Sequence, residues 1–227
     1  MAETRWEDRL VLPDQSSTLA LWQVPEVPRA VMALGHGAGT DITHPVMESL
    51  TTVLTQAGVG VLRYRFPFRE RGGGRDREVV SLRTVAAAVQ QAAARYPALP
   101  CLAGGHSFGG RMTSLAAAAG NLSAVSGLIL FAFPLHAPGS PGVTRAAHLD
   151  RVAVPMLFVS GTRDTFARED LLSGVIDALG DRATRCRLDT VTHGYTAARN
   201  TQLPGGDVFA AIRQAVDVWL TDLLPSA

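Results

Sequence analysis

Leu102-Ala103-Gly104-Gly105-His106-Ser107-Phe108-Gly109-Gly110 sets one serine between two glycines, after an apolar run and before an alanine-rich stretch. A serine hydroxyl is a weak nucleophile until a base takes its proton, and it must project from the backbone into a cleft. A tight strand-to-helix turn achieves the projection, and its strained backbone needs small neighbours. Gly105 and Gly109 supply them, two residues either side of Ser107. A helix starting behind Ser107 aims its positive dipole end and free N–H groups at the same point. G-x-S-x-G arises by chance in glycine-rich chains, so its context decides. Here Pro100–Ala103 reads as a buried strand, and Arg111–Ala119 as a helix by its alanine content.

Around this turn, apolar strand-like runs alternate with amphipathic stretches. Arg9–Leu12 and Leu19–Val24, joined by the polar turn Pro13–Ser17, predict an antiparallel hairpin. Ala30–Leu34 is a continuous apolar run, the pattern of a strand buried on both faces. His44–Ala57 predicts a helix with Pro45 in its first turn and Gly58 as its stop. Val59–Tyr64 is the next strand, and Asp76–Tyr96 a long helix ended by Pro97. Gly127–Phe131, Met156–Val159 and Arg185–Leu188 read as strands, and Arg168–Leu179 as a helix. Asp207 is placed to cap a last helix that buries Val208, Phe209, Ile212, Val216, Trp219 and Leu220. Such alternation implies an α/β fold, a mostly parallel sheet with helices on both faces. No linker, repeat or low-complexity tract divides the chain, so residues 1–227 read as one domain. The long irregular stretches Phe66–Arg75 and Pro134–Thr144 would lie beside the strand ends where such sheets bind ligands.

The 227 residues carry a formal net charge of +1, which gives no electrostatic case for nucleic acid as the main partner. Hydrophobic residues make up 47%, ample for a buried core, yet no apolar run reaches the ~18 residues that span a bilayer. Met1–Leu10 is charged and lacks the apolar stretch of a secretion signal. Cys101 and Cys186 sit in strand-like runs as buried thiols, and no CxxC or His-rich cluster suggests a metal site. A reducing, cytoplasmic setting is the expectation.

Three further segments add chemistry. Leu34-Gly35-His36-Gly37-Ala38-Gly39 follows an early strand. A tetrahedral intermediate needs N–H donors aimed at its oxyanion. The N–H of Phe108 is one candidate, and that of Ala38 or Gly37 the other, with His36 orienting the loop. Val159-Ser160-Gly161-Thr162-Arg163-Asp164 ends a strand in a carboxylate, and Thr192-His193-Gly194-Tyr195 follows the last strand. Asp164 would hold the His193 imidazole in one tautomer, and His193 would take the Ser107 proton and return it to the leaving group. Of the other histidines, His106 adjoins the nucleophile and is read as pointing elsewhere. His44 sits by a helix start, His148 in a short helical segment, and His136 in a loop that lines the pocket. Arg65 reads either as a fork for a substrate carboxylate or as a structural ion pair. Phe66 and His136 complete the predicted substrate contacts, with Phe68, Phe108, Met47 and Leu135 as further apolar liners. The charged run Arg69–Arg77 reads as a solvated loop, and its three glycines make no P-loop, since no Lys-Ser/Thr follows.

These four motifs, in this order, resemble the α/β-hydrolase superfamily from about Trp6 to Leu224. Gly35–Gly39 with Asp41 and His44-Pro45, Phe133–Gly139, and Leu157–Asp164 resemble more closely a dienelactone-hydrolase-like group. That group includes a testis-expressed protein and a subunit of the non-specific lethal chromatin complex. The resemblance implies an eight-stranded sheet, a Ser-Asp-His triad and no cofactor. Dienelactone hydrolases proper carry a cysteine where this chain has Ser107. Many superfamily members insert a helical cap after the sixth strand, for which only Pro134–Pro155 is available here, so a minimal or absent cap is expected.

The residues therefore predict a serine hydrolase acting on a carboxylic ester or thioester of a small acyl substrate. An amidase or peptidase using the same triad is the nearest alternative. A binding or scaffold module on a relic hydrolase fold is the alternative of another class. Oligomeric state is not encoded in these features.

Overall fold

The computed structural model describes residues 3–199, 201–203 and 206–224. The first two residues of the Met1–Leu10 stretch and the ends of the 1–227 span lie outside them. Eight strands form: β1 (Glu3–Val11), β2 (Ser17–Pro25), β3 (Ala30–Gly35), β4 (Val59–Tyr64), β5 (Cys101–His106), β6 (Val125–Phe131), β7 (Met156–Gly161) and β8 (Ala183–Leu188). The helices are α1 (Pro45–Gln56), α2 (Pro67–Arg71), α3 (Glu78–Arg95), α4 (Phe108–Ala118), α5 (Glu169–Leu179) and α6 (Val208–Leu223).

The strands make one sheet in the order β1-β2-β4-β3-β5-β6-β7-β8. β2 pairs antiparallel with both β1 and β4, and every other pairing is parallel. After β3 the chain goes to β4 on one side, then returns past β3 to lay down β5 on its other side. This reversal opens a crevice at the carboxyl ends of β3 and β5, the place where open α/β sheets bind ligands.

Side chains alternate across the sheet because successive Cβ atoms point to opposite faces. Val31 and Ala33 of β3 join the core under α3, α4 and α5, where Val85, Met112 and Leu172 are buried. Met32 and Leu34 join the core under α1 and α6, built from Leu50, Leu54, Ile212, Val216 and Leu220. Both faces are thus covered, which is why β3, β5 and β7 are buried along their whole length.

Local signals end the helices as their chemistry dictates. The His44 side chain accepts from the Val46 N–H at the start of α1, and the Asp207 carboxylate accepts from the Ala210 N–H at the start of α6. The hairpin is longer than predicted, with Glu3 opposite Pro25 and Val11 opposite Ser17. The polar half of β1 carries little periodic apolar signal because the strand lies at the sheet's edge. The Phe66–Arg75 loop contains α2, with Pro67 in its first turn and Gly72 closing it at φ 69°. Between β6 and β7 only two single helical turns occur, at Thr144–Ala146 and Leu149–Arg151. The carboxyl edge of the sheet therefore has no cap. Among the described residues no helix is long and apolar enough to cross a membrane.

Ile212 on α6 is fully buried, whereas Val218 on the same helix is 58% exposed. Ile212→Ala is expected to lower the unfolding free energy by about 2–5 kcal/mol, and Val218→Ala by less than about 0.5 kcal/mol. Urea denaturation checks the pair, and equal effects would mean that α6 presents another face to the sheet.

Candidate active site

β5 runs into Ser107, whose backbone takes φ 51° and ψ −111°, a conformation that costs a non-glycine residue on the order of 1–3 kcal/mol. The surroundings hold it there. The Ser107 N–H donates to the Phe131 carbonyl at 2.8 Å, and the Ser107 carbonyl accepts from the Arg111 N–H as the first turn of α4. A Cβ on Gly105 would lie 2.5 Å from the Gly35 carbonyl oxygen, and one on Gly109 2.3 Å from the same atom. The glycines are required because the end of β3, the end of β5 and the start of α4 touch backbone to backbone.

The His193 imidazole Nε2 lies 2.9 Å from Ser107 Oγ. Its Nδ1 lies 2.9 and 2.8 Å from the two Asp164 carboxylate oxygens. The Asp164 side chain is wholly excluded from solvent, and Oδ1 also accepts from the Phe166 N–H at 2.8 Å. Nδ1–H donating to the carboxylate leaves Nε2 free to accept from the serine hydroxyl. Ser107, His193 and Asp164, which sequence reading grouped, are thus one hydrogen-bonded chain.

Several groups fix His193 in this pose. A Cβ on Gly161 would meet the Val191 carbonyl oxygen at 2.1 Å, so the glycine lets the loop leading to His193 cross over the end of β7. Tyr195, at φ 60°, donates its hydroxyl to the Val159 carbonyl at 3.0 Å. His106 donates from Nε2 to the His193 carbonyl at 3.1 Å. The Phe166 ring lies on the imidazole with centroids 4.3 Å apart. His106 is thus engaged with the His193 backbone, a contact that sequence did not reveal.

Ala38, Ser107, Phe108 and Phe166 line one cleft of about 310 Å³. The Phe108 N–H is the first of α4, where helical N–H groups lack partners within the helix. Gly37 sits one residue further back. Its carbonyl accepts from His36 Nδ1 at 2.7 Å and from the Thr40 N–H at 3.2 Å. His36 Nε2 in turn accepts from the Phe66 N–H at 3.1 Å, tying the loop after β3 to the loop after β4.

The three predicted substrate contacts lie elsewhere. Arg65 spends its fork on Asp41, with Nε and Nη2 each at 2.9 Å, and its Nη1 on Glu70 at 3.0 Å. It is the structural ion pair of the two readings. Phe66 is fully buried among Tyr64, Phe68, His36 and the inner side of Phe108. His136 faces Ala137 and Arg168 instead of the cleft, with Nδ1 2.8 Å from the Ala137 carbonyl and Nε2 accepting from the Arg168 N–H at 2.9 Å. Of the further apolar liners only Phe108 reaches the cleft, since Met47, Phe68 and Leu135 belong to the core. Sequence reading singled out neither Phe166 nor the cleft's three arginines, Arg75, Arg111 and Arg145. Arg111 stands four residues after Ser107, one helical turn on, and that spacing alone marks it as a neighbour. Among the described residues no three His, Cys, Asp or Glu side chains converge as metal ligands.

A family model described as an alpha/beta hydrolase domain matches residues 28–220. The fold is similar to a dienelactone hydrolase from Anabaena variabilis, at 15% identity and a TM-score of 0.76, covering 98% of this chain and 99% of that one. It is similar to an alpha-beta serine hydrolase homologue from Coxiella burnetii, at 16% identity and a TM-score of 0.75, covering 95% and 97%. It is also similar to a serine hydrolase without lid from Xanthomonas campestris, at 20% identity and a TM-score of 0.72, covering 98% and 96%.

Burial pushes the imidazoles of His36, His106 and His148 down to about 4, with the charge of His193 adding to the effect at His106 and that of Arg111 at His148. The fold thus favours their neutral forms. Their contribution to stability is complete above about pH 6.5 and is lost as pH falls towards 4. Unfolding free energy is expected to drop by at least ~2 kcal/mol between pH 6.5 and 5, before carboxylates protonate. Urea titrations across that interval check this, and a flat profile would mean that these imidazoles are charged in the fold.

Proposed function

The chain belongs to the alpha/beta hydrolase family, and from that premise we propose that it is a serine hydrolase that cleaves a carboxylic ester or thioester through an acyl-enzyme on Ser107. The observation that carries this reading is the hydrogen-bonded chain from Ser107 Oγ through His193 to Asp164.

As Ser107 Oγ attacks the substrate's carbonyl carbon, its proton passes to His193 Nε2. A new C–O bond forms, and the carbonyl π electrons move onto oxygen to give an oxyanion. The N–H groups of Phe108 and Ala38 receive that charge, helped by the positive end of α4. The buried Asp164 carboxylate keeps Nδ1 protonated and stabilises the imidazolium. The intermediate then collapses, the bond to the leaving oxygen or sulfur breaks, and Nε2–H protonates the leaving group. Water, deprotonated by the same imidazole, repeats the sequence at the acyl carbon and frees the acid and Ser107. The open carboxyl edge of the sheet gives both substrate and water access to the cleft. Gly37 serves the oxyanion loop through its carbonyl, which His36 and Thr40 hold so that the following N–H of Ala38 is presented.

A fluorophosphonate probe is expected to label the protein, and Ser107→Ala to abolish labelling. Asp164→Asn is expected to lower kcat on an activated ester by about 10⁴-fold through the wrong imidazole tautomer. Mass spectrometry of the adduct and steady-state assays against ester, thioester and amide panels check both. A folded protein that neither labels nor hydrolyses any acyl substrate would sink the reading.

A further inference from the structure

Three guanidinium groups from separate parts of the chain line the Ser107 cleft. Arg75 comes from the segment before α3, Arg111 from α4, and Arg145 from the helical turn Thr144–Ala146. No aspartate or glutamate lines the cleft with them. Among the described residues nine of the other eighteen arginines are, by contrast, held in ion pairs. Arg65 is 2.9 Å from Asp41, Arg168 is 2.7 Å from Asp170, and Arg185 and Arg187 share Glu169. Among the described residues Arg75 and Arg145 make no ion pair. Arg111 has only the half-exposed Glu78 at 3.8 Å, beyond hydrogen-bond reach, and its Nε is buried without a partner.

The whole chain carries a net charge of only +1, so this concentration is local and does not reflect a basic surface. Like charges gathered in a partly desolvated cleft repel one another. Burial opposes the charge on Arg111, Glu78 partly offsets that, and Arg145 and Arg75 oppose it further. An anion in the cleft would relieve that repulsion and satisfy the open forks, whose planar geometry matches carboxylate and phosphate. The positive end of α4 acts in the same direction.

We propose that the cleft selects acyl substrates carrying a second, anionic group, a carboxylate or phosphate, held by Arg111 and Arg145 with Arg75 at the rim. The proposal rests on the hydrolase reading of Ser107 and names the substrate class of that site. Arg111 stands one turn beyond Ser107 on α4, about 6 Å along the helix axis, and both line the same cleft. A cleft of about 310 Å³ fits a compact substrate, such as the monoester of a short dicarboxylic acid or an ester whose leaving alcohol bears a phosphate.

The test compares mono-4-nitrophenyl glutarate with 4-nitrophenyl butyrate, which share a leaving group, and adds an ester of a phosphate-bearing alcohol. For at least one anionic ester, kcat/KM is expected to exceed that of the butyrate by about tenfold or more. That ratio should fall about tenfold in Arg111→Gln and in Arg145→Gln, and Arg145→Lys should recover part of it. If Arg111→Gln does not fold, Arg145→Gln carries the same comparison. Separately, calorimetry on Ser107→Ala measures binding of free glutarate and of inorganic phosphate, which the two arginine substitutions should remove. Preference for glutarate places the anion on the acyl side, and preference for phosphate alone places it on the leaving group. Butyrate hydrolysis with a ratio near one and no anion binding would overturn the anion site and leave the hydrolase intact. Anion binding lost on arginine substitution, with no labelling of Ser107 and no turnover, would overturn the hydrolase reading and leave the anion site.

Discussion

Three backbone segments meet at one point: the end of β3, the end of β5 and the start of α4. Gly105 and Gly109 approach the Gly35 carbonyl more closely than any Cβ allows. Everything chemical in this fold depends on that contact. It lets β5 turn into α4 within one residue, which forces Ser107 into its strained conformation and lifts Oγ out of the sheet. It also brings the loop after β3, with Ala38, to the cleft that Phe108 lines. The proposed nucleophile and the two donors proposed for the oxyanion are thus products of a single packing requirement.

The proposed base arrives by a different route. His193 sits 86 residues beyond Ser107 in sequence, on a loop with little regular structure. Its position is over-determined by contacts from every side. The Val191 carbonyl crosses Gly161, Tyr195 reaches back to β7, His106 holds the His193 carbonyl, and Asp164 holds the ring. A loop histidine with one tether would sample many poses, and a displacement of about 1 Å can cost on the order of 10² in rate. Burial favours the neutral form of His106, so this contact adds no positive charge beside the proposed base, which would itself become an imidazolium.

The features legible in the sequence are those written locally. The strands β3, β4 and β6 announce themselves as apolar runs, and the Ser, Asp and His motifs stand at strand ends in the expected chain order. β5 reads as ending at Ala103 because Gly104 and Gly105 are poor strand formers in isolation. In the fold they continue the strand, since the neighbouring backbone leaves no room for side chains. The same packing hides the start of α4, where Gly109 and Gly110 weaken the helical signal that Arg111–Ala119 carries. Arg65 could not be resolved from sequence because its partners, Asp41 and Glu70, meet only when the loops after β3 and β4 fold together. Arg69–Arg77 sets four arginines against Glu70 and Asp76, and in the fold Asp76 is committed to Arg71 and to the Phe68 N–H, and Glu70 to Arg65 and Arg9. Counting shows the excess of positive charge, but only the fold shows that Arg75 is the one of these arginines that lines the cleft.

An open carboxyl edge changes how such a cleft can discriminate. With no cap to enclose a substrate, little apolar area is removed from water beyond Phe108 and Phe166, so hydrophobic burial is a weak source of specificity. Charge is then the stronger lever, but exposed charges are screened within about 8 Å at physiological salt. The three arginines are therefore unequal. Arg75, exposed at the rim, acts chiefly on encounter by raising the local concentration of anions. Arg111, half-buried with an unpartnered Nε, works where water screens least and where an unmet donor is costly. Its place one turn beyond Ser107 ties the anion's position to the nucleophile through a rigid helix, the most direct way for charge recognition to set the register of the reacting carbonyl.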